Sequence, residues 1–142
     1  MIKFNNTYCI IPLRKGSKSI KDKNIKKING TPLANLCIKT SLKSGIFKKI
    51  IIATDSDAYI KIIKNKFYNN KKLIYFKRSK KNAKSHSPTE LVINEILKNF
   101  KQIDNIFLIT IILKYKKRGL VKTVNGIGAI PEITEKIIKA LK

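Results

Sequence analysis

Thr7-Tyr-Cys-Ile-Ile-Pro12, followed at once by Leu13-Arg-Lys-Gly-Ser-Lys18, is a short apolar run that breaks into a basic, glycine-bearing segment. Six residues stopped by proline, with β-branched and aromatic side chains, predict a buried strand. The polar residues 13–30 that follow predict a long loop.

Working outward, Thr31-Pro32 predicts a helix start, with threonine as N-cap and proline at the first helical position. Leu33, Leu36, Cys37, Thr40 and Ser41 are its expected inner face, and Gly45 its left-handed cap. Lys49-Ile-Ile-Ile-Ala-Thr54 predicts a second strand. Asp55-Ser-Asp57 is expected to cap a helix that places Tyr59, Ile62, Ile63 and Phe67 on one face. Leu73–Phe76 predicts a third strand, and residues 77–87 a second polar loop that holds His86. Ser87-Pro-Thr-Glu90 has the form of a capping box opening a helix to about Phe100, and Ile106–Leu113 predicts a fourth strand. Single helices between strands imply βαβ units and a mostly parallel sheet, an α/β fold. Such sheets bind ligands at the carboxyl ends of their strands. Both basic loops, 13–30 and 77–87, leave strands at that edge and are expected to converge there.

The charge of +24 invites a nucleic-acid reading. Two features speak against it. Only Arg14, Arg78 and Arg118 are arginine, whereas readers of base edges favour that residue. The lysines are also dispersed along the chain rather than gathered on one helix. Lysine, isoleucine and asparagine share A/T-rich codons, which suffices to explain the bias. With two cysteines, no CxxC and one histidine, a structural zinc site cannot be assembled, and Cys9 and Cys37 read as small buried hydrophobes. No run approaches the roughly 20 apolar residues of a membrane span, and no signal-peptide pattern opens the chain, so a cytoplasmic protein is expected.

The segment from Ile11 to Asn24 carries groups suited to a polyphosphate. Gly16 and Ser17 can turn backbone N–H groups toward phosphate oxygens, Arg14 can fork onto two of them, and Lys18 and Lys23 add point charges. Asn24 supplies a donor and an acceptor for a base or ribose edge. Residues 115–142 change character, with a linker at Lys116–Gly119, a short strand at Val121–Val124 and a last helix from Pro131. Gly126-Ile-Gly128 is too short to be a phosphate loop.

The order Pro12-x-Arg14-x-Gly-Ser-Lys18, Lys23-Asn24-Ile25, Gly30-x-Pro-Leu33 resembles the acylneuraminate cytidylyltransferases, also called CMP-sialic acid synthetases. The likeness continues through Ser44-Gly-Ile-Phe47, Ala53-Thr-Asp-Ser-Asp57, Phe76-Lys-Arg78 and Ser87-Pro-Thr89, and the pseudaminic and legionaminic acid branches share it. It implies a Rossmann-like three-layer nucleotidyltransferase fold over residues 1–114, in a shortened form, with 115–142 a divergent tail. It also implies CTP and a nonulosonic acid as substrates, CMP-sugar and pyrophosphate as products, Mg2+ as cofactor, and a homodimer or complementing chain as partner. Carried over, Arg14 and Lys23 would serve catalysis by holding the triphosphate. Gly16, Ser17, Lys18 and Asn24 would contact the nucleotide, and Arg78 and Ser87 would face it.

Three departures are visible. The family's Gln-x-Thr-Ser-Pro-Leu-Arg signature is represented here by Leu108 to Lys114, keeping only Thr110 and Leu113. Arg78-Ser79 replaces an Arg-Pro, with Ser85 in place of a downstream Asp. No acidic pair for Mg2+ stands out among the eight acidic residues, and the family's later half has no counterpart. Three readings follow: a cytidylyltransferase, a remnant that binds nucleotide only, and a basic nucleic-acid-binding module.

Overall fold

The computed structural model describes residues 6–17, 20–82 and 87–109. The expected strand at 121–124, the last helix from Pro131, the GxG at 126–128 and the end of the fourth strand lie outside them.

Strand β1 (Thr7–Pro12) is buried almost throughout, as its unbroken apolar run requires. A 3-10 turn at Lys23–Ile25 follows, then the two-residue strands β2 (Lys27–Ile28) and β3 (Thr31–Pro32), which pair antiparallel. Asn29 and Gly30 join them at φ of 47° and 77°. Positive φ at both central residues is the signature of the type I′ turn that Asn-Gly favours. This small hairpin corrects two expectations. Residues 13–30 are not one loop, and Thr31-Pro32 belongs to a strand, so helix α1 (Leu33–Lys43) begins one residue later with Pro32 at its N-cap.

Helix α1 also turns a different face inward. Ala34, Asn35, Ile38 and Ser41 are buried, Thr40 is exposed, and Leu33, Leu36 and Cys37 are half-buried. Packing against the sheet, rather than the local apolar pattern, selects the face, so Ile38 rather than Leu36 reaches the core. Gly45 ends the helix at φ 70°, as its position suggests.

Strand β4 (Lys49–Thr54) and helix α2 (Asp57–Lys66) follow. Ser56 caps α2, its Oγ accepting from the Tyr59 N–H at 3.3 Å. The flanking aspartates, expected as caps, are directed elsewhere. Strand β5 (Leu73–Lys77) is one residue longer than expected, and helix α3 (Thr89–Asn99) starts after Pro88 with no side-chain cap. The capping box is not formed, because Ser87 Oγ donates to the Lys81 carbonyl at 3.0 Å. Strand β6 (Asn105–Leu108) completes the set.

The main sheet is parallel throughout, in the order β5-β4-β1-β6. Alternate strand residues supply two cores. Cys9, Ile11, Ile50, Ile52 and Leu73 pack with Ala34 and Ile38 of α1 and with Tyr59 and Ile63 of α2. Tyr8, Ile10, Ile51 and Ala53 pack with Val92 and Ile96 of α3. Helices on both faces make this a three-layer, Rossmann-like α/β arrangement. Strand order reverses at β1, since the chain steps outward to β4 and β5 and then returns to place β6 on the other side. The carboxyl end of β1 is therefore the switch point at which open α/β sheets bind ligands.

Candidate functional site

Leu13 continues the β1 ladder by donating its N–H to the Ala53 carbonyl at 2.8 Å, so Arg14 leaves the sheet at its carboxyl edge. Two hydrogen bonds fix the chain here. The Lys15 N–H donates to Asp55 Oδ1 at 2.8 Å, and Asn24 Nδ2 donates to the Arg14 carbonyl at 3.0 Å. Asp55, just past β4, thus tethers the loop after β1. That role was missed in the sequence, although an aspartate at the end of a neighbouring parallel strand is placed for it.

Gly16 adopts φ 78°, in the left-handed region that disfavours side chains. A Cβ there would meet nothing within 4 Å, so backbone conformation, not crowding, calls for glycine. Ser17 is half-buried, and Lys18 lies outside the described residues.

The turn that carries Lys23 and Asn24 is anchored from below. The Ile25 and Lys26 N–H groups donate to the Asp22 carbonyl, at 3.0 and 3.1 Å. The Tyr59 hydroxyl, rising from α2, donates to Asp22 Oδ1 at 2.9 Å. Asn24 is buried at 8% exposure and Lys23 is half-buried. One Asn24 donor is thereby committed to the protein backbone.

Arg78 follows β5 on the same edge, its N–H donating to the Thr54 carbonyl at 3.1 Å. Its side chain is only 6% exposed. Nη2 donates to the Asn82 carbonyl, while Nε finds no acceptor among the described residues. Among those residues the one salt bridge joins Lys77 to Asp57, exposed and at 2.6 Å, so no carboxylate pairs directly with Arg78. Burial lowers its pKa, the charge of Asp55 opposes that shift, Arg14 adds to it, and Glu95 opposes it. Arg14 and Arg78, from different loops, are therefore close enough to repel one another. A buried guanidinium with no ion pair is a costly feature that a bound anion would relieve.

Ser87 stands at the far end of the same loop, tied to Lys81. The structure thus brings Arg14, Lys23, Asn24 and Arg78 to one sheet edge and attaches Ser87 to the Arg78 loop. Among the described residues no three of the His, Cys, Asp and Glu side chains gather in a way that could hold a metal ion. Asp55 is already committed to a backbone N–H. These residues do not fit a magnesium ion held by the protein itself, which demands several oxygen ligands in octahedral array. Nor, among the described residues, is any helix long and apolar enough to cross a membrane.

Comparison with known proteins agrees with this layout. The family model described as "Cytidylyltransferase" matches residues 8–97. A pseudaminic acid cytidylyltransferase of Campylobacter jejuni is 43% identical over 54 residues, 38% of this chain and 23% of that protein. An N-acylneuraminate cytidylyltransferase of Streptococcus agalactiae is 43% identical over 56 residues, 38% of this chain and 14% of its own length. A CMP-N,N'-diacetyllegionaminic acid synthase of C. jejuni is 47% identical over 49 residues, 34% of this chain and 21% of that protein. The matched segments span less than a quarter of each relative. With the model covering β1 through most of α3, and with the basic loop of β1 at the switch point of a parallel sheet, the chain belongs to the cytidylyltransferase family.

Proposed function

We propose that the carboxyl edge of this sheet binds CTP, and that the chain serves the transfer of a cytidylyl group to a nonulosonic acid of the pseudaminic, legionaminic or N-acylneuraminic type. The observation that carries the reading is the buried guanidinium of Arg78, without an ion pair among the described residues and within electrostatic reach of Arg14. A triphosphate brings roughly four negative charges to such a place, and phosphoryl-transfer sites work mainly by positioning and offsetting that charge.

In this reading Arg14 and Lys23 hold the triphosphate, with Lys18 adding charge. Backbone N–H groups around Gly16 and Ser17 contact phosphate oxygens, and Asn24, Arg78 and Ser87 face the nucleotide. The sugar's anomeric hydroxyl forms the new O–P bond at the α-phosphorus, its proton is lost, and the bond to pyrophosphate breaks. None of the described residues is assigned to hold Mg2+; the ion, carried in with the nucleotide, would supply charge neutralisation.

A second reading, nucleotide binding without efficient turnover, is favoured by one observation. The segments that match cover less than a quarter of each relative's length. Catalysis needs both reactants positioned, and the described residues concern one of them. A pyrophosphate-release assay with CTP, Mg2+ and N-acetylneuraminate or pseudaminic acid separates the two. Release that depends on the sugar supports transfer by this chain, alone or with a complementing chain. CTP binding without release supports the second reading, and neither binding nor release refutes both.

A further inference from the structure

The geometry assigns to Glu95 the role of a positioning residue for Arg78, a conclusion that rests on the reading of Arg78 as a nucleotide-binding group. Glu95 lies on α3, and both oxygens of its carboxylate are engaged. Oε1 accepts from the Ser79 N–H at 3.1 Å. Oε2 accepts from Asn82 Nδ2 at 2.7 Å and from Ser79 Oγ at 3.3 Å. The loop closes on itself as well, with the Asn82 N–H donating to the Ser79 carbonyl at 3.0 Å and Asn82 Nδ2 also reaching the Leu91 carbonyl at 3.4 Å.

The consequence runs through Asn82. Its side chain is held by Glu95, and its main-chain carbonyl accepts from Arg78 Nη2. Glu95 therefore fixes the acceptor that fixes the guanidinium. Because Nε has no acceptor among the described residues, that carbonyl is the only side-chain hydrogen bond of Arg78 recorded among them. A single bond leaves the plane of a guanidinium free to swing unless its acceptor is rigid, and a fork that swings cannot meet two phosphate oxygens together. Glu95 also lowers the electrostatic cost of Arg78 from a distance, without forming a salt bridge to it.

A double-mutant cycle on CTP affinity tests the assignment, with calorimetry on the full chain and melting temperature as control. Arg78→Met is expected to weaken CTP binding at least tenfold. Glu95→Ala is expected to weaken it about fivefold to tenfold, and Glu95→Gln, which keeps one carbonyl acceptor, by less. In the Arg78→Met background Glu95→Ala should have no further effect, because what Glu95 positions is then gone. A residue that only stabilises the fold would instead act additively and in proportion to its effect on melting. Additive losses, or no loss with Glu95→Ala while Arg78→Met binds weakly, overturn the positioning role alone. Unchanged CTP binding with Arg78→Met overturns the underlying reading of the site.

Discussion

Asn24 holds the backbone of Arg14: its side-chain Nδ2 donates to the carbonyl of Arg14, ten positions earlier in the chain, at 3.0 Å. In the proposed site the two residues are the ends of the segment that presents several groups to CTP. Cross-linking those ends by a part-buried hydrogen bond would reduce the conformations the loop must give up on binding.

Asn24→Ala should therefore weaken CTP binding more than it weakens the fold. A hydrogen bond of this kind contributes about 1 kcal/mol, or roughly fivefold in affinity. Calorimetric titration with CTP, set beside a melting curve, checks it. Equal affinity in the two proteins would show that the tether does not organise the loop.

Tyr59 predicts an alkaline transition. Its hydroxyl is pushed up to about 12 from an ordinary 10.0, by burial first, then by its hydrogen bond to Asp22 and the negative charges of Asp22 and Asp55. A raised folded value favours the neutral phenol in the native state. Its contribution is complete below about pH 10 and lost as pH rises toward about 12. Tyr59→Phe should cost about 1 kcal/mol at pH 7 by removing the bond to Asp22. The difference in urea stability between the two proteins should shrink from pH 10 upward. A constant difference across that range would contradict the linkage.

The thiols should be quiet. Cys9 is pushed up to about 12, chiefly by burial, with its hydrogen bond to Ser41 opposing and Cys37 adding. Cys37 is raised as well, by burial. Cys9 Sγ lies 3.7 Å from Ser41 Oγ, and Ser41 in turn donates to the Cys37 carbonyl at 2.8 Å. Thiolate is the reactive form, so a disulfide reagent at pH 8 should leave Cys9 unmodified until denaturant is added, with Cys37 slow. Rapid modification of both in the native protein would disprove the burial assigned to them.

Two isoleucines separate core from surface. Ile38 is fully buried against the sheet, whereas Ile28 on the small hairpin is 49% exposed. Ile38→Ala should cost about 2–5 kcal/mol and Ile28→Ala within about 0.5 kcal/mol, measured by chemical denaturation. Comparable losses would mean that the hairpin is packed more tightly than its exposure indicates.

How much of this was legible in the sequence depends on range. Strands β1, β4 and β5 were readable to within a residue because each is a short apolar run with clear ends. The parallel sheet followed from the helices between them, and the placing of Arg14 and Arg78 on one edge followed from the sheet. The start of α1 was misread because Thr31-Pro32 satisfies local capping preferences equally well. The competing signal, Asn29-Gly30, was present but flanked by only two paired residues on each side. Ser56 displaced Asp55 as the cap because Asp55 faces the β1 loop, a contact made across forty residues. Glu95 and Tyr59 act through partners far along the chain, and no local pattern marks such residues.

Arg78→Met tests the central claim most directly, since it exchanges a buried charge, with no ion pair among the described residues, for an apolar side chain of similar length. The account predicts that the free protein melts at the same or a higher temperature, because the desolvated charge is gone, while CTP affinity falls at least tenfold. A variant that melts lower and still binds CTP as tightly as the parent would contradict it.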